Sequence, residues 1–198
     1  MNLLHSKTVW RGSTQLAPVP PALVGCGDGE TFVYNLLTVA WTGIVCSSPP
    51  MLSISVRPER HSWELLRETG EFTVNLPTER LARAVDWCGC VSGRDHDKFR
   101  EMRLTPLPGS AVRAPLVAES PLSLECRTAQ TIDLGSHTLF LAEIVAVQAD
   151  ESLFDVKGKF RMEDAGLIAY AHGGYYALGK KLGSFGFSVR RKTKSEKK

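Results

Sequence analysis

The sequence predicts a mainly β protein, an antiparallel barrel with short peripheral helices. Strand-type segments outnumber helical ones, and the helical segments do not alternate strand for strand with them, which excludes a doubly wound sheet. The 198 residues are 43% apolar and 23% charged, a composition that supports one sizeable core and excludes intrinsic disorder. We therefore expect a single domain over residues 1–189, and closure of its sheet into a barrel would remove the exposed edges.

The first part of the chain contains an irregular segment and two strands. The opening thirty residues are rich in Pro and Gly and predict an irregular lead-in. Residues 31–45 are rich in Val, Leu, Thr and aromatic residues, which favours a strand that ends at a Ser-Ser-Pro-Pro turn. Residues 51–57 alternate apolar and polar side chains, as a half-buried strand does, with Ser53, Ser55 and Arg57 on the polar face.

The second part of the chain predicts three short helices and further strands. Ser62 is expected to cap a helix that ends at Gly70, and Thr78 a helix that stops near Gly89. A third helix is expected from Asp95 to about residue 102. The remaining predicted strands cover residues 71–76, residues 122–132 and 137–149 as a hairpin, and residues 167–171.

The charge distribution does not indicate a nucleic-acid surface. The net charge is +3, but residues 190–198 contain six Lys or Arg against one Glu, so the body of the chain is close to neutral. We expect this basic segment to be a disordered tail. The uncharged stretch over residues 31–56 contains Asn35, hydroxyl side chains and a Pro-Pro pair, so it predicts strands and no membrane span.

The cysteine pattern predicts reduced thiols in a cytoplasmic protein. The five cysteines have no regular spacing, and no secretory segment precedes them. Cys88-Gly89-Cys90 lacks the Cys-x-x-Cys spacing and the second ligand pair of a zinc site, so we predict no metal.

Two segments carry the residue types that bind phosphate. The polar face of residues 51–57 continues through Arg60, His61 and Ser62 into a helix start, which combines hydroxyls, guanidinium groups and free backbone N–H groups. A solvent-facing sheet edge explains this pattern equally well. In residues 92–99, Lys98 lies in the first turn of a helix, where the helix dipole disfavours a cation, so its ammonium either extends into water or neutralises a bound anion.

Other candidate motifs are incomplete. Residues 174–181 match a P-loop as far as Lys180, but Lys181 stands where the Ser or Thr of that motif belongs, and no Gly-x-Gly-x-x-Gly occurs. His137 is a candidate general acid or base or a structural histidine, and no Gly-x-Ser-x-Gly elbow accompanies it. The residues alone therefore predict a phosphate-containing ligand on a β-barrel.

Several blocks, in this order, resemble the flavin reductase-like FMN-binding split barrel family, and residues 176–188 resemble its flavoredoxin-type branch. The similarity spans roughly residues 15–190 and depends on the order of blocks that are each weak alone. The blocks are Asn35-Leu36-Leu37-Thr38-Val39-Ala40-Trp41, Ser53-x-Ser55-x-Arg57, Arg60-His61-Ser62, Glu71-Phe72-Thr73-Val74-Asn75, Ser92-Gly93 with Asp97-Lys98-Phe99, Leu124-Glu125-Cys126 and Gly135-Ser136-His137.

This resemblance implies a homodimeric split β-barrel that binds FMN non-covalently. It implies an oxidoreductase in which the flavin takes electrons from NADH or NADPH and passes them to free flavin, oxygen or a redox partner protein. Two alternatives stay open: an FMN-binding electron carrier without a nicotinamide site, and a non-enzymatic ligand-binding barrel. Ser136 stands where many family members have Asp, which weakens the case for His137 as a residue that orients nicotinamide.

The resemblance also implies the cofactor-binding residues. It places residues 38–42 along the isoalloxazine ring, residues 53–57 along the ribityl chain and phosphate, and Arg60, His61, Ser62 and Lys98 on the phosphate. The full expected set is Asn35, Thr38, Val39, Ala40, Trp41, Thr42, Ser53, Ser55, Val56, Arg57, Arg60, His61, Ser62, Ser92, Gly93, Lys98 and Phe99.

Overall fold

The computed structural model describes residues 7–189, so the expected tail over residues 190–198 lies outside the described residues. None of the helices in this part of the chain is long and apolar enough to cross a membrane. The strands are β1 (Ala22–Cys26), β2 (Asn35–Val39), β3 (Thr42–Ser47), β4 (Pro50–Val56), β5 (Glu71–Leu76), β6 (Pro106–Leu107), β7 (Leu116–Val117), β8 (Leu122–Asp133), β9 (Thr138–Ala149), β10 (Ile168–Ala171) and β11 (Gly174–Ala177). The helices are α1 (His61–Thr69), α2 (Ala82–Cys90) and α3 (Lys98–Met102), with 3₁₀ turns at Glu79–Leu81, Glu151–Leu153 and Met162–Asp164.

Seven strands form one antiparallel sheet in the order β2-β1-β5-β8-β9-β4-β3, which confirms the predicted mainly β class. The outermost strands, β2 and β3, are consecutive in the chain and are joined by only Ala40 and Trp41. The sheet must therefore curl until its two edges meet, as in a barrel. At this junction the backbone N–H of Ser55 in β4 donates to the carbonyl of Trp41, with N and O 3.0 Å apart.

The core lies on both sides of β1, whose five residues are all buried. Inside the curled sheet, Ile54 of β4 packs with Phe72 and Phe140 in one apolar cluster. On the other side, Leu23 and Leu36 pack with the helices in a second cluster that includes Val85 and Phe99. The predicted alternation of β4 is confirmed, because Leu52, Ile54 and Val56 are buried and the intervening serines are partly exposed. The helices α2 and α3 thus cover one face of β1 and β2, whereas Leu65 and Leu66 of α1 pack in the first cluster.

Two strand predictions were wrong. The lead-in contains an interior strand of the sheet, β1, which the sequence concealed because Gly25 interrupts it and Gly27 and Gly29 follow it. Gly25 is needed there, since a Cβ at this position would lie 2.1 Å from the carbonyl oxygen of Pro115. The predicted single strand over residues 31–45 is two strands, separated at Ala40 and Trp41 by the sharp change of direction that starts β3. The hairpin of β10 and β11 was predicted only in its first strand.

The helix caps also differ from the predicted ones. Ser62 lies inside α1, which begins after Arg60 without a side-chain cap. The hydroxyl of Thr78 makes no cap either, and a 3₁₀ turn precedes α2. α3 begins at Lys98, three residues later than predicted, because Asp97 caps it by accepting a hydrogen bond from the backbone N–H of Arg100.

A buried carboxylate fixes the long loop before β7 to the sheet. Glu125 in β8 is fully buried, and its oxygens accept hydrogen bonds from the backbone N–H groups of Ser110, Ala111 and Val112, the hydroxyl of Ser110 and the amide of Gln148. Burial opposes ionisation of this carboxyl, but the hydrogen bonds outweigh it and lower its pKa from 4.5 to about 2. The ionised form therefore stabilises the native state.

We predict that Glu125→Gln lowers the free energy of unfolding at pH 7 by roughly 2 to 4 kcal/mol, because an amide cannot accept all five hydrogen bonds. The pKa is lower in the folded state, so this stabilisation is complete above pH 4.5 and is lost as the pH falls towards 2. Urea unfolding of both proteins between pH 7 and pH 3 measures the difference. The difference in the free energy of unfolding between the wild-type protein and the variant should narrow as the pH falls.

The matched control is Glu143→Gln, which removes the same charge from an exposed position on the neighbouring strand β9. We expect a change within about 0.5 kcal/mol. An equal loss of stability in the two variants would contradict the role assigned to Glu125.

Candidate functional site

Three adjoining cavities lie where the two edges of the sheet meet. The first cavity, of about 380 Å³, shares Leu37, Arg57 and Arg60 with the second, of about 330 Å³. The first also shares Ala40 and Trp41 with the third, of about 420 Å³. Each has the volume typical of a small-molecule site. The connection between β2 and β3, the end of β4 and the helices α1 and α2 together form their walls.

The second cavity contains a buried ammonium group. Lys98 is 3% exposed, and its Nζ donates to the backbone carbonyls of Leu36 and Cys88 at 2.8 Å each. Both acceptors are neutral, an ammonium has three N–H donors, and no ion pair to Lys98 occurs within residues 7–189. Burial lowers its pKa below 10.5. The structure therefore excludes extension of Lys98 into water, one of the two sequence-based alternatives, and leaves a cation suited to an anion in the cavity.

Further positive groups surround the same cavity. Arg57 and Arg60 line it, and Arg60 immediately precedes α1, whose first backbone N–H groups are free of helical acceptors. His61 also lines it, and the Nδ1 atom of His61 is buried without a hydrogen-bond partner among the described residues. Burial, together with the charges of Arg94 and Lys98, lowers the pKa of His61. The charge balance favours an anionic ligand group.

The floor of the second cavity is closely packed around Asn35. The amide Nδ2 of Asn35 donates to the hydroxyl of Ser62 at 2.7 Å, so Ser62 joins α1 to β2 rather than capping the helix. Gly93 approaches the same amide so closely that a Cβ there would lie 2.1 Å from Asn35 Oδ1. Any larger residue at this position must displace the Asn35–Ser62 pair.

The first cavity has aromatic walls. The rings of Trp41 and His137 lie 4.7 Å apart between centroids, inclined by 34°. Burial and the charge of Arg57 lower the pKa of His137, which keeps its ring neutral at pH 7. The hydroxyl of Thr38 donates to the carbonyl of Val85 and so fixes α2 against β2 along the cavity wall. A flat, uncharged group fits this surface best.

The structure brings most of the predicted site residues together. Asn35 and Phe99 line none of the cavities: Asn35 supports Ser62, and Phe99 lies in the second apolar cluster. Of the rest, Thr38, Val39, Ala40, Trp41, Ser55, Val56, Arg57, Arg60 and the candidate His137 line the first cavity, Arg57, Arg60, His61, Ser62, Ser92, Gly93 and Lys98 the second, and Ala40, Trp41, Thr42, Ser53 and Ser55 the third.

Sequence reasoning missed one wall of the first cavity. Asp86, Gly89 and Cys90 of α2 contribute to it, and their spacing of three and four residues, typical of one helix face, could have identified them. Tyr170 and Tyr175 complete the wall as an opposed pair across β10 and β11. That pairing depends on the hairpin register, which no local pattern in the sequence indicates.

The fold and site define a class of protein, a curled antiparallel barrel with a cationic cavity beside an aromatic one. The family model described as "Flavin reductase like domain" matches residues 14–179. This match covers most of the chain, and the protein belongs to the flavin reductase-like family.

Individual relatives agree with this assignment. The chain is similar to the flavoredoxin of Desulfovibrio vulgaris (Miyazaki F), with 33% identity, a TM-score of 0.85 and coverage of 93% of this chain and 100% of that one. It is similar to a flavoredoxin from Methanosarcina acetivorans, with 26% identity, a TM-score of 0.82 and the same coverage. In sequence it is 31% identical over 151 residues to a flavin reductase (NADH) of Kitasatospora aureofaciens, over 62% of this chain and 73% of that protein.

We predict that Gly93→Ala destabilises the protein by about 1 to 3 kcal/mol, because the new methyl group must displace Asn35 and its hydrogen bond to Ser62. Thermal unfolding measures the loss. Gly43→Ala is the control, since no atom lies within 4 Å of the position of its added Cβ. A Gly93→Ala protein that unfolds at the same temperature as the wild type would contradict the close packing of Gly93 against Asn35.

Proposed function

We propose that the protein is an FMN-dependent oxidoreductase of the flavin reductase or flavoredoxin type, which takes electrons from NADH or NADPH and passes them to free flavin or another acceptor. One observation carries the proposal: a buried ammonium with only neutral acceptors lines a cavity that adjoins an aromatic cavity of a size suited to a small molecule. The flavin reductase-like family and the flavoredoxin relatives support it.

The residues present fit a flavin phosphate at one end and a flat ring at the other. A phosphate monoester has a charge of about −1.5 to −2 at pH 7, which would neutralise Lys98 together with Arg57 or Arg60. His61 would supply a further donor, which its unpartnered ring nitrogen favours. Trp41 and the backbone of residues 38–42 would lie along the ring, as the wall of the first cavity suggests.

The protein's own residues bind and orient, and no side chain need react. Bound FMN would supply the hydride- and electron-accepting chemistry. Thr38 holds α2 and β2 together beside the cavity, so the flavin ring would pack against a rigid wall. His137 stacks against Trp41 in the neutral form, so it offers a polar edge without a charge beside an incoming nicotinamide.

The similarity to flavoredoxins favours one alternative, an FMN-binding electron carrier without a nicotinamide site. The two functions share the phosphate site and differ only in whether reduced nicotinamide reaches the flavin. A barrel that binds another ligand is the remaining alternative. The homodimer, a redox partner protein and the cytoplasmic location stay predictions.

We predict that Arg57→Ala and Lys98→Met each raise the Kd for FMN roughly tenfold or more, because each removes a hydrogen bond to a charged group. The Kd for riboflavin, which lacks the phosphate, should change by less than about twofold. Fluorescence titration of each flavin measures both constants.

Arg83→Ala is the control, because Arg83 is exposed on α2 and lines none of the cavities. Arg57 is exposed enough that its loss should leave the fold intact even if the Lys98 variant unfolds. Equal losses of FMN and riboflavin affinity in Arg57→Ala would contradict the phosphate assignment.

We predict that NADH or NADPH, added without oxygen to the protein with one equivalent of FMN, bleaches the visible flavin band. The rate of bleaching should increase with the protein concentration, because the cavity would bring the flavin and nicotinamide rings together. Stopped-flow absorbance measures the rate, with free FMN and nicotinamide as the control. Bound flavin that stays oxidised would establish the carrier alternative, and failure to bind flavin would contradict the proposal.

A further inference from the structure

The first cavity has an acidic side chain among its lining residues. Residues 91–93, just beyond α2, line the second cavity, whereas Asp86, Gly89 and Cys90 within α2 line the first. A helix rises 1.5 Å per residue, so Asp86 lies about 6 Å further along the helix axis than Cys90 from the segment that lines the second cavity. Asp86 is therefore an acidic group on the α2 wall of the first cavity.

Asp86 is reachable and stands beside a protonated phenol. It is exposed, and no ion pair to its carboxylate occurs within residues 7–189. Burial, followed by the charge of Asp86, raises the pKa of Tyr175 to about 12, so the hydroxyl of Tyr175 keeps its proton. A carboxylate accepts several hydrogen bonds, so Asp86 can accept one from a ligand in the cavity.

The wall that carries Tyr175 is held in place. Its ring lies 5.2 Å from that of Tyr170, its partner across the hairpin of β10 and β11. Two backbone hydrogen bonds, of 2.8 and 2.9 Å, join Tyr170 to Val19 in the segment that leads into β1. Tyr175 also packs against the second apolar cluster. The acid and the two phenols thus line the same cavity as Trp41.

We propose that Asp86 accepts a hydrogen bond from an amide-type N–H group on a flat ring in the first cavity, which it lines together with Tyr175. A carboxylate only accepts hydrogen bonds, and it repels phosphate towards the cationic cavity. A flat ring in this cavity can pack against its aromatic side chains, and an N–H group on the edge of the ring can donate to Asp86. This proposal rests on the proposed function and adds the residue that selects the ring edge.

Two rings offer this chemistry. One is the pyrimidine edge of the flavin, which has a single ring N–H, and the other is the carboxamide of a nicotinamide-type electron donor. Both are neutral donors on flat heterocycles, so the cavity recognises the same group in either case. Two analogues that lack the N–H distinguish the sources. In one the flavin ring nitrogen is methylated, and in the other an acetyl group replaces the carboxamide of nicotinamide.

The experiment compares wild-type protein with Asp86→Ala in two titrations. The first measures the Kd of FMN and of FMN methylated at the pyrimidine N–H. The second titrates FMN-loaded protein with nicotinamide and with 3-acetylpyridine, which replaces the amide NH₂ by a methyl group, and follows the perturbed flavin spectrum. Asp95→Ala, an exposed acid that lines none of the cavities, is the control.

We expect wild-type protein to prefer the N–H ligand of one pair about tenfold and Asp86→Ala to lose that preference. Loss in the FMN pair assigns Asp86 to the flavin, and loss in the nicotinamide pair assigns it to the electron donor. The thermal midpoint of each variant reports any structural damage. Asp95→Ala should retain the preference.

No preference in either pair, an unchanged preference in Asp86→Ala, or no binding of either ring overturns the proposal. The phosphate assignment is tested separately, by comparing the Kd of wild-type protein for FMN with its Kd for riboflavin. A protein that prefers FMN over riboflavin but ignores the N–H group contradicts the role of Asp86 alone. A protein that binds no flavin but prefers nicotinamide over 3-acetylpyridine, titrated without FMN and followed by calorimetry, contradicts the proposed function alone.

Discussion

The buried ammonium of Lys98 is the constraint on which the site depends. It joins three elements, because α3 carries it, β2 supplies the carbonyl of Leu36 and α2 supplies the carbonyl of Cys88. Removing a cation from water is costly unless hydrogen bonds and an opposite charge compensate. Two neutral carbonyls supply the hydrogen bonds and not the charge. The position of the cavity beside Lys98 is therefore a direct consequence of how these elements pack.

The same contacts place the aromatic cavity next to the cationic one. Thr38 fixes α2 to β2 one turn of helix before Cys88, and the chain then passes through Trp41 into β3. Because only two residues join β2 to β3, closure of the sheet brings Arg57 at the end of β4 to this junction. A flat ring and a phosphate on one ligand can thus meet rigid secondary structure at both ends.

Local patterns predicted the strands that are half buried and the residue types of the cationic cavity. Residues 51–57 alternate visibly, and Lys98 in the first turn of a helix indicated either a solvated cation or a bound anion, an alternative that only its burial in the fold decides. What the sequence concealed depends on distant contacts. β1 is interrupted by Gly25, which the close approach of Pro115 requires, and Ser62 binds Asn35 instead of capping its helix. The wall around Asp86 combines α2 with Tyr170 and Tyr175 from the hairpin of β10 and β11, which are distant in sequence.

The burial of Lys98 bears on both stability and ligand binding. Within residues 7–189, Lys98 has two neutral acceptors for its three N–H donors and no opposite charge, so the burial of its ammonium is only partly compensated. A ligand that binds only the folded state and brings the missing charge adds its binding free energy to folding. Glu125 shows the contrast, because its five hydrogen bonds compensate its charge within the protein. The chain itself compensates the buried charge of Glu125, whereas Lys98 retains a donor and a charge that an anionic ligand would satisfy, which is the basis of the proposed phosphate site.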